Sequence, residues 1–309
     1  MSKAVCRIIN HANGIIRFDS NSQNYTLSGG GFDEYCPPVE GNETGKCNNN
    51  DQKVSSAFMG LINMLIGNNN ENIESGKLAE YAILWLSYKI QQYEKTKTTI
   101  LKDFFTKNIE TNTHYNEKIT NCEGNTTNKE FIDKKKYLMN MDIKDISNFY
   151  EAFEILCKMY NACNENTKKC TNFLGKAKEF AEKYNKLNND SNNKSDSYKN
   201  VLYSLSTDYN NFKKYCAENN DDCKDNSSFP KIEIAPGPFE NFEATSGSSI
   251  ASKLIPVLLI FSAIPVFLGI AYKTIFKRKD KKNKEGNESL YMIRRLAIIP
   301  GTIIVIDIC

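Results

Sequence analysis

Apolar residues recur every three or four positions over most of the first two-thirds of the chain, and strict period-two alternation is scarce. Val54, Ala57, Phe58, Leu61, Ile62 and Leu65 form one stripe, stopped by Gly67 and three asparagines. Residues 78–90 are apolar nearly all round, which predicts a central, buried helix carrying the only tryptophan, Trp85. Ile100, Leu101, Phe104, Phe105 and Ile109 begin another amphipathic stretch. Ile143, Ile146, Phe149, Tyr150, Phe153, Cys157 and Tyr160 make the clearest stripe. Two more follow: Phe173, Ala177, Phe180, Ala181 and Tyr184, then Tyr198, Val201, Leu202, Leu205, Tyr209, Phe212 and Cys216. The pattern reads as an all-α bundle whose aromatic stripes are core rather than ligand platforms.

The pattern changes at Leu254. Nineteen uncharged residues run from Leu254 to Tyr272 between Lys253 and Lys273. At 1.5 Å rise per residue they span about 28 Å, close to the thickness of a bilayer's hydrocarbon core. Pro256 and Pro265 suit a membrane helix better than a soluble one. Lys273, Lys277, Arg278, Lys279, Lys281, Lys282 and Lys284 crowd one flank, so the positive-inside rule puts the tail in a cytoplasm and the large N-terminal region outside. The organisation expected is a helical, Cys-containing ectodomain over 1–226 and a flexible Pro/Gly/Ser stalk over 227–250. A transmembrane helix over 251–272 and a basic cytoplasmic tail over 273–309 follow. The bilayer is thus the first partner, and the basic cluster offers contacts to anionic lipid or cytoskeleton. Residues 1–11 hold no apolar run long enough for a cleaved signal, so the C-terminal helix is expected to act as an uncleaved signal anchor.

Charge sharpens this picture. The net charge is +3, but residues 273–309 hold nine Lys/Arg against four Asp/Glu, leaving the remainder slightly acidic. No nucleic-acid partner is expected, because phosphate binding needs basic residues gathered on one face.

Nine of the ten cysteines precede the membrane segment. Cys36, Cys47, Cys157, Cys163, Cys170, Cys216 and Cys223 are disulfide candidates in an exterior domain, with Cys36 and Cys47 able to close a short loop. Nine is odd, so one thiol, Cys6 or Cys122, is expected to be free or intermolecular. Zinc is the competing reading, but no Cys-x-x-Cys pair exists, and the two six-residue spacings match neither finger nor ribbon. The fold class is therefore an all-α, disulfide-stabilised helical ectodomain followed by one C-terminal transmembrane helix.

Catalytic chemistry finds little to work with. Only His11 and His114 are present. Gly41-Asn-Glu-Thr-Gly45-Lys46-Cys47 lacks one residue of a phosphate loop and has cysteine where magnesium needs Ser or Thr. The acidic run around Asp221, Asp222 and Asp225 lacks the glycine and distal glutamate of a calcium loop. No enzyme activity, catalytic residue, cofactor or metal is expected. Polar, asparagine-rich stretches at 110–130 and 186–198 are instead candidate loops for a binding partner.

Several words in the chain carry a resemblance. These are Tyr35-Cys36-Pro37 with Gly45-Lys46-Cys47, Glu80-Tyr-Ala-Ile-Leu-Trp-Leu-Ser-Tyr-Lys89, Phe104-Phe-Thr-Lys-Asn-Ile-Glu-Thr-Asn-Thr-His-Tyr115, and Phe149-Tyr-Glu-Ala-Phe153 with Leu156-Cys157. Together with the membrane helix they resemble the Plasmodium interspersed repeat (PIR) proteins of the rodent-malaria type (YIR/BIR/CIR-like) over about residues 1–275. The resemblance implies a variant multigene antigen, exported into the infected red cell without a classical leader, that meets a host receptor or antibody through its ectodomain loops. The alternative is a structural or trafficking membrane protein of the parasite vacuole or host-cell cytosol. The tail departs from the family after Lys273, ending in the apolar segment 296–306, which is too short to span reliably.

Overall fold

The computed structural model describes residues 1–29, 31–38, 45–69, 73–93, 100–119, 126–164, 166–167, 169–220, 223 and 229–234. The chain divides into two compact units, Met1–Asn241 with Asp307–Cys309 and Phe242–Ile306, and all described residues belong to the first. No helix among the described residues is long and apolar enough to cross a membrane. The expected membrane helix Leu254 to Tyr272, its basic flank and most of the stalk lie outside the described residues.

Helix α1 (Lys3–Ile15) starts where the Ser2 hydroxyl accepts the Val5 amide, and it buries Val5, Cys6, Ile9 and Ala12 along one face. It runs directly into a hairpin of β1 (Ile16–Asp19) and β2 (Asn24–Leu27), antiparallel with Phe18 opposite Tyr25. Helix α2 (Asn50–Gly67) is capped by Asn49, whose side chain accepts the Gln52 amide. At its middle the Phe32 ring lies so close to Gly60 that no Cβ could fit there. Helix α3 (Ser75–Tyr93) follows, buried on nearly every side as its sequence predicts. A short α4 (Leu101–Phe104) widens into a π turn over Phe105–Ile109, and α5 (Asn128–Asp133) opens with a capping box between Thr127 and Glu130.

Helix α6 (Ile143–Asn161) packs against α1, α3, α7 (Phe173–Asn189) and α8 (Asp196–Asn219). Its aromatic stripe makes ring contacts with α3 and α8. Tyr150 stacks on Tyr88 of α3 at 4.6 Å, Phe153 meets Tyr81 at 4.9 Å, and Phe149 meets Tyr198 of α8 at 4.6 Å. Between α6 and α7 stands a second hairpin, β3 (Cys163–Asn164) with β4 (Lys169–Cys170).

The architecture is therefore mostly helical with two small antiparallel hairpins, a refinement of the all-α expectation. Four-residue and two-residue strands are too short for period two to register against the helical background. The polar stretch 186–198, expected as a loop, ends α7, makes one 3-10 turn over Asp190–Asn193 and opens α8, which Ser195 caps. Asparagine and serine serve there as turn and cap residues.

Candidate functional site

The helical packing decides where the cysteines meet. Cys6 of α1 is bonded to Cys157 of α6, Cys36 to Cys47, Cys163 to Cys170 across the second hairpin, and Cys216 to Cys223 at the end of α8. This corrects the expectation that Cys6 is a spare or intermolecular thiol. Its partner lies 151 residues away, and only the packing of α1 on α6 brings the two together. Cys122, the other thiol in that expectation, lies outside the described residues. The loop closed by Cys36 and Cys47 is held further by the Asn112 amide, which donates to the Tyr35 carbonyl at 3.0 Å.

A buried polar network runs beneath this scaffold, and the stripe analysis missed it. Asp208 of α8, on an otherwise apolar face, accepts from the Met1 ammonium at 2.9 Å and the Tyr81 hydroxyl at 2.9 Å. Lys77 of α3 sits 3.0 Å from Asp208 and 3.2 Å from Glu80, and Lys135 reaches Glu80 at 3.2 Å. Ser204 also bonds Glu80. Burial alone pushes the Lys77 ammonium down, but Asp208 and Glu80 carry it above its ordinary value. The same burial and the same two carboxylates hold the Tyr81 hydroxyl firmly protonated. The available signal was charge inside an apolar helix, at Lys77, Glu80 and Asp208, though spacing alone names no partner.

Trp85 is the hub of a second set. Its indole N–H donates to Asn13 of α1 at 2.9 Å, and the Asn13 amide donates to the Tyr150 hydroxyl of α6 at 3.1 Å. Lys89, one turn on, is 5% exposed and lies over the rings of Trp85, Tyr25 and Tyr88 at 5.4 to 5.9 Å. Burial lowers its ammonium to about 8, against a smaller opposing pull from Glu154.

That shift carries a prediction. Between pH 8 and the ordinary lysine value the unfolded chain holds a proton that the folded chain has lost, so stability rises with pH across this window. Below pH 8 the buried charge costs roughly 3 kcal/mol, offset in part by the ring faces. Lys89→Met is expected to raise unfolding free energy at pH 7 by about 1–3 kcal/mol and to flatten that rise, read by urea titrations from pH 6 to 10. Above pH 10 the slope reverses in both proteins. Burial raises Tyr25, Tyr150 and Tyr209, so the unfolded chain loses those protons first.

The other sequence candidates are scattered. Of the first candidate loop, 110–119 and 126–130 are described. His114 there meets Glu117 at 2.6 Å and packs edge-on against Tyr35, while Asn128 donates to the His114 carbonyl at 3.0 Å. The second loop is the α7–α8 connection, where Lys194 bonds Asp145 of α6 at 2.7 Å. In the stretch likened to a phosphate loop, Cys47 is held in a disulfide, and 41–44 lie outside the described residues, as do Asp221, Asp222 and Asp225. A charged groove of ≈ 390 Å³ between α6 and α7 is lined by Glu151, Glu154, Lys158, Glu179, Lys183 and Lys186. Two of these lysines are paired within it, Lys183 with Glu151 and Lys158 with Glu154 at 2.8 Å.

The family model for the Plasmodium variant antigen protein Cir/Yir/Bir matches residues 6–273. The chain belongs to this family. It is also similar to a solved Plasmodium PIR protein ectodomain, at 32% identity and a TM-score of 0.57, over 76% of this chain and 97% of that one. A search of curated proteins returns no significant match. Family membership agrees with the quoted words. Residues 80–89 of α3, the most distinctive of them, supply Glu80 to the buried network, Trp85 to the Asn13 contact and Lys89 to the ring cluster. The π turn and the Tyr35–His114 contact account for two further words. The sequence signature of this variant antigen is thus largely a record of its core.

Proposed function

We propose that this PIR-family chain is a membrane-anchored antigen, exported to the infected red cell or its surface, that works by binding and immune evasion rather than by catalysis. The family match carries the reading. The four disulfides among the described residues and a buried polar network support it, because they fix a scaffold whose asparagine-rich connections can change at little packing cost. Anchoring rests on the uncharged run 254–272 and its basic flank, which orient the tail toward the cytoplasm. A host receptor or antibody would meet the loops at 110–130 and 186–198, and the tail's lysines would meet anionic lipid or cytoskeleton.

Protease protection on intact infected cells tests this, with one antibody against residues 130–220 and one against the tail beyond residue 277. The expected result is loss of the ectodomain epitope to external trypsin while the tail epitope survives. Protection of both epitopes overturns surface display and leaves a structural or trafficking role on an internal membrane.

A further inference from the structure

Three buried cysteines from two different disulfides come together at one place. The Sγ atoms of Cys163, Cys170 and Cys216 all lie within 4.8 Å of one another and all are buried. Cys170 Sγ and Cys216 Sγ, which belong to different disulfides, are 3.6 Å apart. Cys223 lies outside this group but is bonded to Cys216, so it offers the adjacent fourth sulfur. Four thiolates around zinc at about 2.3 Å stand about 3.8 Å from each other, and the 3.6 Å between the two bridges is near that spacing. We propose that Cys163, Cys170, Cys216 and Cys223 form a zinc–tetrathiolate site when the ectodomain is reduced.

The surroundings suit a negative cluster. The Asn220 side-chain amide donates to Cys223 Sγ at 3.4 Å, the kind of N–H···S contact that orients and tunes a metal thiolate. Lys3 bonds the Cys163 carbonyl at 2.5 Å. With Arg7, Asn161, Asn164 and Asn166 it lines a cavity of ≈ 340 Å³ beside Cys163, with no carboxylate among the described lining residues. Two cations there offset part of the charge that four thiolates leave on zinc. The ligand pairs come from two arms, Cys163 opposite Cys170 in the hairpin, and Cys216 near the end of α8 with Cys223 just beyond it. Sequence spacing could not show this, because each arm has six residues between its cysteines instead of two.

The chemistry balances with a small thiol of the glutathione class as reductant. Four reductant thiols give four electrons and four protons to the two bridges, yielding four cysteine thiols and two reductant disulfides. Zinc then binds the four sulfurs as four protons leave, so bridging and metal binding exclude each other and uptake weakens as pH falls. Zinc would thereby join the hairpin to the end of α8 in a reducing compartment, whereas in the oxidised chain each bridge closes only its own arm.

The test uses the full chain in detergent, reduced with a phosphine, freed of excess reductant and titrated anaerobically with Co²⁺. The expected result is one tightly bound Co²⁺ per chain, with the intense visible bands of a tetrahedral thiolate, displaced by one equivalent of Zn²⁺. Cys170→Ser with Cys216→Ser should abolish the bands, and Cys36→Ser with Cys47→Ser should leave them. Alkylation of the wild-type chain keeps the question decidable if a serine variant fails to fold. Bound zinc should shield these four cysteines from iodoacetamide by mass spectrometry and leave Cys36 and Cys47 reactive. Absence of stoichiometric Co²⁺ bands, or shielding at other cysteines instead, overturns the proposal.

Discussion

Replacing Cys6 and Cys157 together with alanine is expected to lower the unfolding free energy by roughly 3–5 kcal/mol. The bridge spans 151 residues, so its main effect is to deny the unfolded chain most of its freedom. The loop-entropy relation gives about 5 kcal/mol for a closure of this length, and measured values commonly fall short of it. Both residues are almost fully buried between α1 and α6, so the loss of two sulfur atoms adds a small packing cost. The control is the Cys36–Cys47 pair, which closes only 11 residues and should cost about 3 kcal/mol or less by the same relation. Urea titrations of the two double variants beside the wild-type chain, all in the same detergent, decide the matter. Equal losses from the two bridges would mean that loop length does not set their value here. A larger loss from the short bridge would point to α1 and α6 remaining associated in the denatured chain.

The helices were legible because their stripes are long. Those at 54–65, 78–90, 143–160, 173–184 and 198–216 fall within α2, α3, α6, α7 and α8 respectively. What escaped was short or depended on distant contacts. Helix α1 carries its apolar residues in the first fifteen positions, where they drew attention only as a failed signal peptide. Phe104, Phe105 and Ile109 fit an α-helical stripe well enough to hide a π turn, since one added residue per turn barely alters such a brief pattern. The hairpins offered four and two residues per strand, too few for alternation to show. Beyond the local Cys36–Cys47 loop, cysteine pairing was illegible, because connectivity is a property of the packed helices and not of spacing. Charge in the apolar stripes was visible at Lys77, Glu80 and Asp208, and the partners became visible only once α3, α8 and the N-terminus were brought together.

These same groups define the second large effect. Asp208→Ala is expected to destabilise the folded chain by about 3–5 kcal/mol, because it leaves cations buried without their counter-charge. Asp208 is 0% exposed and faces the Met1 ammonium, the Lys77 ammonium and the Tyr81 hydroxyl at once. Lys77 keeps Glu80, but Glu80 is already shared with Lys135 and Ser204, so one buried carboxylate is left for two partly buried lysines. Asp208→Asn keeps the shape and can still bond Tyr81, yet removes the charge. It should recover only part of the loss, which separates the electrostatic share from the cost of an empty space. The same reasoning makes Lys77→Met milder in the Asp208→Leu background than in the wild type, since each partner's removal spares the other from isolation. A double-mutant cycle of Lys77 and Asp208 should therefore show a coupling of about 1–3 kcal/mol, read by urea unfolding at pH 7. A cycle that closes near zero would mean that water or neighbouring groups already satisfy both charges, and that the α3–α8 contact is held by its aromatic packing alone.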